Sequence, residues 1–221
     1  MDYRYEAPPV LRDYLIYHET IKGHSRATVD EYFLDLRNFF RYIKQLRDPA
    51  LRDTPFDQIG IMDIDLSLIK TITLSDIYGY MTYLSRDRVQ HQNCENSDKG
   101  LNAASRARKL ATIRSFFNYL CNKVHLLEEN PCKDIDSPKQ MKSLPRYLTL
   151  EDSLSLLDAV DGKHKERDFC IITLFLNCGL RISELIGLNL SDIQDDAMRV
   201  LGKGNKVRVV SLNDACKDAL A

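Results

Sequence analysis

Two short motifs carry side chains suited to work on an anionic centre. The first is G-L-R-x-S-E-L, in which Arg181 is followed three residues later by Glu184. The second is G-K-G-N-K, in which Lys203 and Lys206 flank a tight glycine-containing turn. The planar fork of an arginine grips two oxygens of one phosphate or oxyanion at once. A lysine on such a turn can hand a proton to a departing oxygen. Each motif also has a plainer reading. An Arg with a Glu at i+3 is commonly a surface ion pair worth a few tenths of a kcal/mol. GKGNK is at minimum a β-turn whose Gly and Asn accept positive φ, and Lys206 is either a phosphate contact or a solvated charge. GKGNK lacks the spacing and strand-to-helix context of a phosphate-cradling P-loop. Metal chemistry is not indicated. Cys94, Cys121, Cys132, Cys170, Cys178 and Cys216 include no C-x-x-C pair, and His18, His24, His91, His125 and His164 stand at no ligand spacing from them. The cysteines read as reduced thiols acting as small hydrophobes.

The elements that must position these residues follow from the apolar periodicity. Val29, Tyr32, Phe33, Leu36, Phe39, Phe40, Ile43 and Leu46 recur at steps of three and four, which predicts a long helix from Ser25 as N-cap to Leu46. A shorter helix over about 10–21 precedes it and ends at Gly23. Residues 48–72 read as a polar, turn-rich connection, 74–84 as a helix and 90–100 as a loop. A fourth helix is expected over about 102–124, with Leu110, Ile113, Phe117, Leu120 and Val124 on one stripe. Ala104, Ser105, Arg108, Ala111, Thr112 and Ser115 lie away from that stripe, a small, hydroxyl-rich face able to approach a phosphate backbone closely. Phe116, Phe117 and Tyr119 are assigned to packing. The proline-containing stretch after Asp136 is a linker. Beyond it come a helix opened by Thr149 with Leu154, Leu156, Leu157 and Val160 as its apolar face, and a helix over about 166–177 ended by Gly179. A short helix after Arg181, two β runs around GNK and the first turns of a final helix from Asn213 complete the pattern.

Composition bounds the rest. A chain of 221 residues with 44% hydrophobic content holds one or two domains, at roughly 150 residues each. Its 31 Lys plus Arg nearly cancel 32 Asp plus Glu, so no global field announces a partner. The charge is polarised locally: residues 99–142 hold nine basic and four acidic side chains, residues 49–98 four basic and eight acidic. No signal-type apolar region and no run of about 18 apolar residues occurs, which predicts a cytoplasmic protein without membrane contact.

The segment LFLNCGLRISELIGLNLSDI followed by RVLGKGNKVRVVSL resembles the first half of the catalytic domain of tyrosine recombinases, the phage integrase family. SRATVDEYFLDLRNFFRYI and SRARKLATIRSFFNYL look like the main helices of that family's core-binding domain, and NPCKDIDSPKQMKSLPRYLT like its linker. The resemblance implies a mainly α chain: an all-α core-binding (SAM-like) domain over 1–137, a linker over 138–148, and over 149–221 the N-terminal part of an α+β catalytic domain with a small β-hairpin. It also implies a C-shaped clamp on double-stranded DNA and a synaptic tetramer that exchanges strands through a Holliday junction, with no cofactor. In the family a tyrosine attacks a phosphodiester to give a 3′-phosphotyrosine and a free 5′ hydroxyl. The implied roles are transition-state binding by Arg181, proton delivery to the 5′ oxygen by Lys203, and support of the arginine fork by Glu184. Thr28, Arg106, Arg108, Lys109, Arg114, Lys139, Arg146 and Lys206 are the candidate DNA contacts, with Arg106 and Arg114 nearer the apolar side of their helix.

The family's later signatures, an H-x-x-R, a His or Trp and the nucleophilic Tyr, follow the lysine hairpin, whereas here the last tyrosine is Tyr147 and the last histidine is His164. The H-x-x-R of His164 to Arg167 stands before Arg181 and reads as a loop and helix start. These 221 residues are therefore expected to be a fragment unable to cleave DNA. The short N-terminal lead favours Xer-type enzymes of chromosome dimer resolution, while the long connection over 48–72 keeps a mobile-element integrase open. A non-cleaving DNA-binding protein and a helical interaction module are the rivals from other classes.

Overall fold

The computed structural model describes residues 3–88, 99–139, 144 and 146–221, the side chains of Arg4 and Lys203 excepted. Most of the expected 90–100 loop, with Cys94 and His91, and residues 140–143 and 145 of the linker lie outside the described residues. The chain divides into two compact units, Met1–Lys142 and Ser143–Ala221.

The first unit is helical: α1 (Tyr3–Glu6), α2 (Pro9–Ile16), α3 (Arg26–Arg47), α4 (Leu66–Lys70), α5 (Leu74–Arg86) and α6 (Ala103–Asn122). Local signals set the helix starts. Ser25 Oγ accepts the Thr28 N–H at the head of α3, Thr73 and Asp76 form a reciprocal capping box on α5, and Asn102 Oδ1 accepts the Ser105 N–H on α6. The periodic stripes become the core. Val29, Phe33, Leu36, Phe39, Phe40 and Ile43 of α3 meet Ile77, Tyr80 and Leu84 of α5 and Leu110, Ile113, Phe116, Phe117 and Leu120 of α6, all buried. Aromatic rings interlock there edge to face, as Phe40 does with Phe116 at 5.7 Å.

Three features depart from the expectations. After Ile16 the helix continues as a π-helical turn over Tyr17–Ile21, which turns His18 inward. The 48–72 connection is not merely polar, because Ile59, Ile61, Ile64, Ile69 and Ile72 are all buried and α4 forms within it. The side of α6 opposite its apolar stripe is only partly free. Ala104, Arg108 and Ala111 stay exposed, but Thr112 is buried on Asp35 of α3 and Ser115 Oγ accepts the Tyr14 hydroxyl at 2.9 Å. Small residues let a helix approach a neighbouring helix as closely as they would let it approach a phosphate backbone.

The second unit holds α7 (Leu150–Asp158), α8 (Lys165–Cys178), α9 (Ile182–Ile186), α10 (Asp214–Leu220) and an antiparallel sheet, β1 (Ile193–Gln194), β2 (Ala197–Leu201) and β3 (Val207–Ser211), in the order β1-β2-β3. Two of these strands are the expected hairpin and β1 is a two-residue addition, paired Ile193 to Met198. Thr149 and Asp152 cap α7 as a box. Its apolar face is not buried among the described residues: Leu150, Leu154 and Leu156 are exposed, and Val160 just beyond the helix is the buried member. The core of this unit is Leu174, Leu180, Met198, Val200, Leu212 and Cys216.

Candidate active site

Gly179 stops α8 in the left-handed conformation (φ 58°), which a side chain at that position resists, and directs the chain through buried Leu180 to Arg181. Arg181 takes an extended conformation just before α9 and leaves 68% of its side chain exposed. Glu184 lies one turn on, with only 2% of its side chain exposed. Its Oε2 accepts the Arg181 main-chain N–H at 2.9 Å and its Oε1 accepts Arg181 Nη1 at 2.8 Å. The head of α9 and the arginine side chain are thus held by one carboxylate.

A residue that the sequence analysis passed over completes the cluster. Arg208 of β3 donates Nη1 to Glu184 Oε1 at 2.7 Å and Nη2 to Oε2 at 2.8 Å. Its fork first, and the Arg181 N–H next, hold the Glu184 carboxyl far below the usual carboxylate range. Such a group stays charged and carries no protons at working pH.

Lys203 opens the turn Lys203–Asn205 between β2 and β3; its side chain lies outside the described residues. Gly204 and Asn205 of that turn have φ of 73° and 61°. The turn is closed by Gly202 N–H donating to the Lys206 carbonyl at 2.8 Å. A Cβ on Gly202 would stand 3.4 Å from Glu184 Oε1 and 3.5 Å from Arg208 Nη1, so the hairpin backbone runs directly against the carboxylate cluster. Lys206 is exposed on the same turn. His164 precedes α8 and Arg167 pairs with its neighbour Asp168, as a polar loop and helix start would.

The candidate DNA contacts divide by environment. Lys139 and Arg146 are exposed. Thr28 is half-buried in the first turn of α3, its hydroxyl 3.0 Å from Ser25 Oγ. Arg114 is half-buried and donates Nη1 to Ser137 Oγ at 2.9 Å. Arg106 is half-buried, with an Nε that has no hydrogen-bond partner among the described residues. Arg108 keeps 48% of its side chain exposed while pairing with Asp35 and Glu31. Lys109 requires correction as a surface cation: it is buried and donates Nζ to Asp35 Oδ1 at 2.6 Å. Burial pushes its pKa down and the Asp35 charge opposes that shift. Phe116 and Phe117 are buried and Tyr119 half-buried, in packing roles.

Comparison with known proteins bears on the family and the fold. Residues 146–221 match the phage integrase family. Tyrosine recombinase XerC of Caldanaerobacter subterraneus subsp. tengcongensis is 44% identical over 214 residues, 97% of this chain and 58% of that protein. The chain therefore spans under two thirds of that relative. A crystal structure of a lambda integrase dimer bound to a COC′ core site aligns with a TM-score of 0.61 at 19% identity, covering 95% of this chain and 67% of that one. A lambda integrase tetramer bound to a Holliday junction aligns with a TM-score of 0.57 at 20% identity, covering 96% and 54%. At such identities these two likenesses speak for the fold. Residues 146–221 thus carry the phage integrase match, and the chain as a whole is similar to tyrosine recombinases of the Xer type.

Proposed function

We propose that these residues supply DNA-binding surface and the first part of the catalytic centre of a site-specific DNA recombinase, working through a 3′-phosphotyrosine intermediate. The observation that carries the reading is an exposed arginine, Arg181, held by a buried carboxylate that also bonds the strand leading out of the Lys203 hairpin. Arg181 would bind non-bridging oxygens of the scissile phosphate and counter the charge that builds as the attacking oxygen adds. Lys203 would protonate the departing 5′ oxygen, which otherwise leaves as an alkoxide. Glu184 orients. Thr28, Arg106, Arg108, Arg114, Lys139, Arg146 and Lys206 would contact phosphates, and domain limits of 1–137, 138–148 and 149–221 fit this division of labour. Pairing of sites in a tetramer is part of the same proposal, supported by the lambda integrase assembly on a Holliday junction. Chromosome dimer resolution, which the resemblance to Xer-type enzymes implies, is the subtype within this proposal. Because no tyrosine follows Tyr147, the 221 residues alone should bind duplex and leave it uncut.

The test is Arg181→Ala in the full-length product of the gene, on a nicked duplex that traps the covalent complex. Single-turnover cleavage should fall by about 10²–10³, the scale of removing one oxyanion donor, with duplex affinity within about twofold. Undiminished cleavage would remove Arg181 from the chemistry. A wild-type product that binds duplex and forms no covalent complex would establish a non-cleaving binder instead.

A further inference from the structure

Glu184 is a crowded acceptor. Each of its oxygens takes two bonds, one from Arg181 and one from Arg208, at 2.7–2.9 Å. Arg208 provides half of them, in the parallel two-bond geometry that only a guanidinium offers a carboxylate. It pairs with Val200 across the β2–β3 ladder, two residues after Lys206, whose carbonyl closes the turn on Gly202. The strand that leaves the Lys203 turn is therefore bonded to the carboxylate that holds Arg181.

An exposed arginine on a carboxylate is ordinarily worth little. This one differs in three respects. The carboxylate is buried, the two arginines reach it from different elements, and the hairpin backbone at Gly202 packs beside it, where a Cβ would stand 3.4 Å from Oε1. One anion between two guanidinia leaves a net positive charge, and the more exposed of the two is Arg181.

We propose that Arg208 is a positioning residue for strand cleavage: through Glu184 it sets the Arg181 fork, and it anchors the base of the Lys203 hairpin to the head of α9. The assignment rests on the recombinase reading above. Arg208 need not touch DNA. Its work is to keep two active-site cations, carried on separate elements, in one register.

The experiment compares Arg208→Ala and Arg208→Lys in the full-length product of the gene, again on the nicked duplex. Arg208→Ala should slow single-turnover cleavage about 10- to 100-fold, the scale of an ångström of misplacement, with duplex affinity within about twofold. Arg208→Lys keeps the charge but cannot bridge both oxygens, and should recover less than half of that loss on a logarithmic scale. In a Glu184→Gln background Arg208→Ala should cost less than about twofold more, since the two act as one unit. A second readout needs no cleavage: carboxyl NMR of Glu184 in the 221-residue chain. Among the described residues the charged groups around Glu184 are Arg181 and Arg208, with Asp192 and Arg199 lining the adjoining cavity. Its midpoint should climb from far below the ordinary range toward 4.5 in Arg208→Lys.

Wild-type cleavage rates in both Arg208 variants, additive losses in the double variant, or an unmoved Glu184 midpoint would each overturn the Arg208 assignment and leave the recombinase reading standing. A wild-type protein that forms no covalent complex would overturn both. If Arg208→Ala fails to fold, Arg208→Lys decides by the same criteria.

Discussion

Lys203 and Arg181 are both cations, and only their chemistry separates them. An arginine that binds phosphate oxygens contributes whatever the leaving group, whereas a lysine that protonates the 5′ oxygen matters only while that oxygen needs a proton. On an ordinary duplex, Lys203→Ala in the full-length product should lose about 10²–10⁴ in cleavage, the span of general acid catalysis. On a duplex with sulfur at the 5′ bridging position, which departs as a stable thiolate, the same variant should cleave within about tenfold of wild type. Equal losses on both substrates would make Lys203 a phosphate ligand instead of an acid. Arg181, Glu184 and Lys203 were legible in the sequence because two short motifs hold them, at a spacing of one helical turn or inside one hairpin. Arg208 was not, because its partner is 24 residues away and an Arg in a strand of alternating burial looks like any solvent-facing residue. The missed signal was a count of donors. A buried carboxylate has room for four, and Arg181 supplies two.

Between elements the same limit recurs. The helix starts were readable from Ser25, Thr73, Asn102 and Thr149, since capping is local. What α6 packs against was not, and Asp35 decides it. This aspartate of α3 is buried, and it receives both Nη atoms of Arg108, Nζ of Lys109 and the Thr112 hydroxyl. Asp35→Ala would strand the buried Lys109 ammonium, at a cost of about 3–5 kcal/mol. Lys109→Met should cost less, because Asp35 keeps Arg108 and Thr112. Urea unfolding followed by circular dichroism orders the two, and the reverse order would dismiss Asp35 as the hub. The isoleucines of 59–72 escaped notice for a related reason: scattered singly among turn residues, they show no period. The π turn of 17–21 adds a pH-sensitive joint. His18 is buried with Nδ1 3.2 Å from His24 Nδ1, a contact that requires one ring to lack that proton. Burial first, then His24 and Lys22, push its pKa from 6.5 down to about 4. Below pH 6.5 the unfolded chain takes up a proton that the fold refuses until about 4, so stability declines as pH falls through that window and is level above it. His18→Gln should flatten the decline between pH 6.5 and 5. An unchanged slope would place the proton uptake elsewhere.

At the scale of the whole chain, near-neutrality and a DNA-binding role are compatible only if the charges are sorted. A total of 31 basic against 32 acidic side chains gives no net attraction to a polyanion, and several of the basic ones are spent internally, Lys109 on Asp35 most completely. Six basic candidates remain in Arg106, Arg108, Arg114, Lys139, Arg146 and Lys206. Each phosphate neutralised contributes about −0.9 to the slope of log affinity against log salt, so these six with Arg181 and Lys203 at the scissile phosphate set a ceiling of about −7. Arg108, Arg114 and Arg181 also have protein partners to satisfy, and the measured slope should fall between about −4 and −7 for the 221-residue chain on a 30-base-pair duplex. Lys206→Ala should make it shallower by about 1, whereas Lys109→Met should leave it unchanged if the fold survives. A slope near zero would favour a helical interaction module that holds no nucleic acid. A slope steeper than about −8 would mean that cations beyond these eight face the duplex.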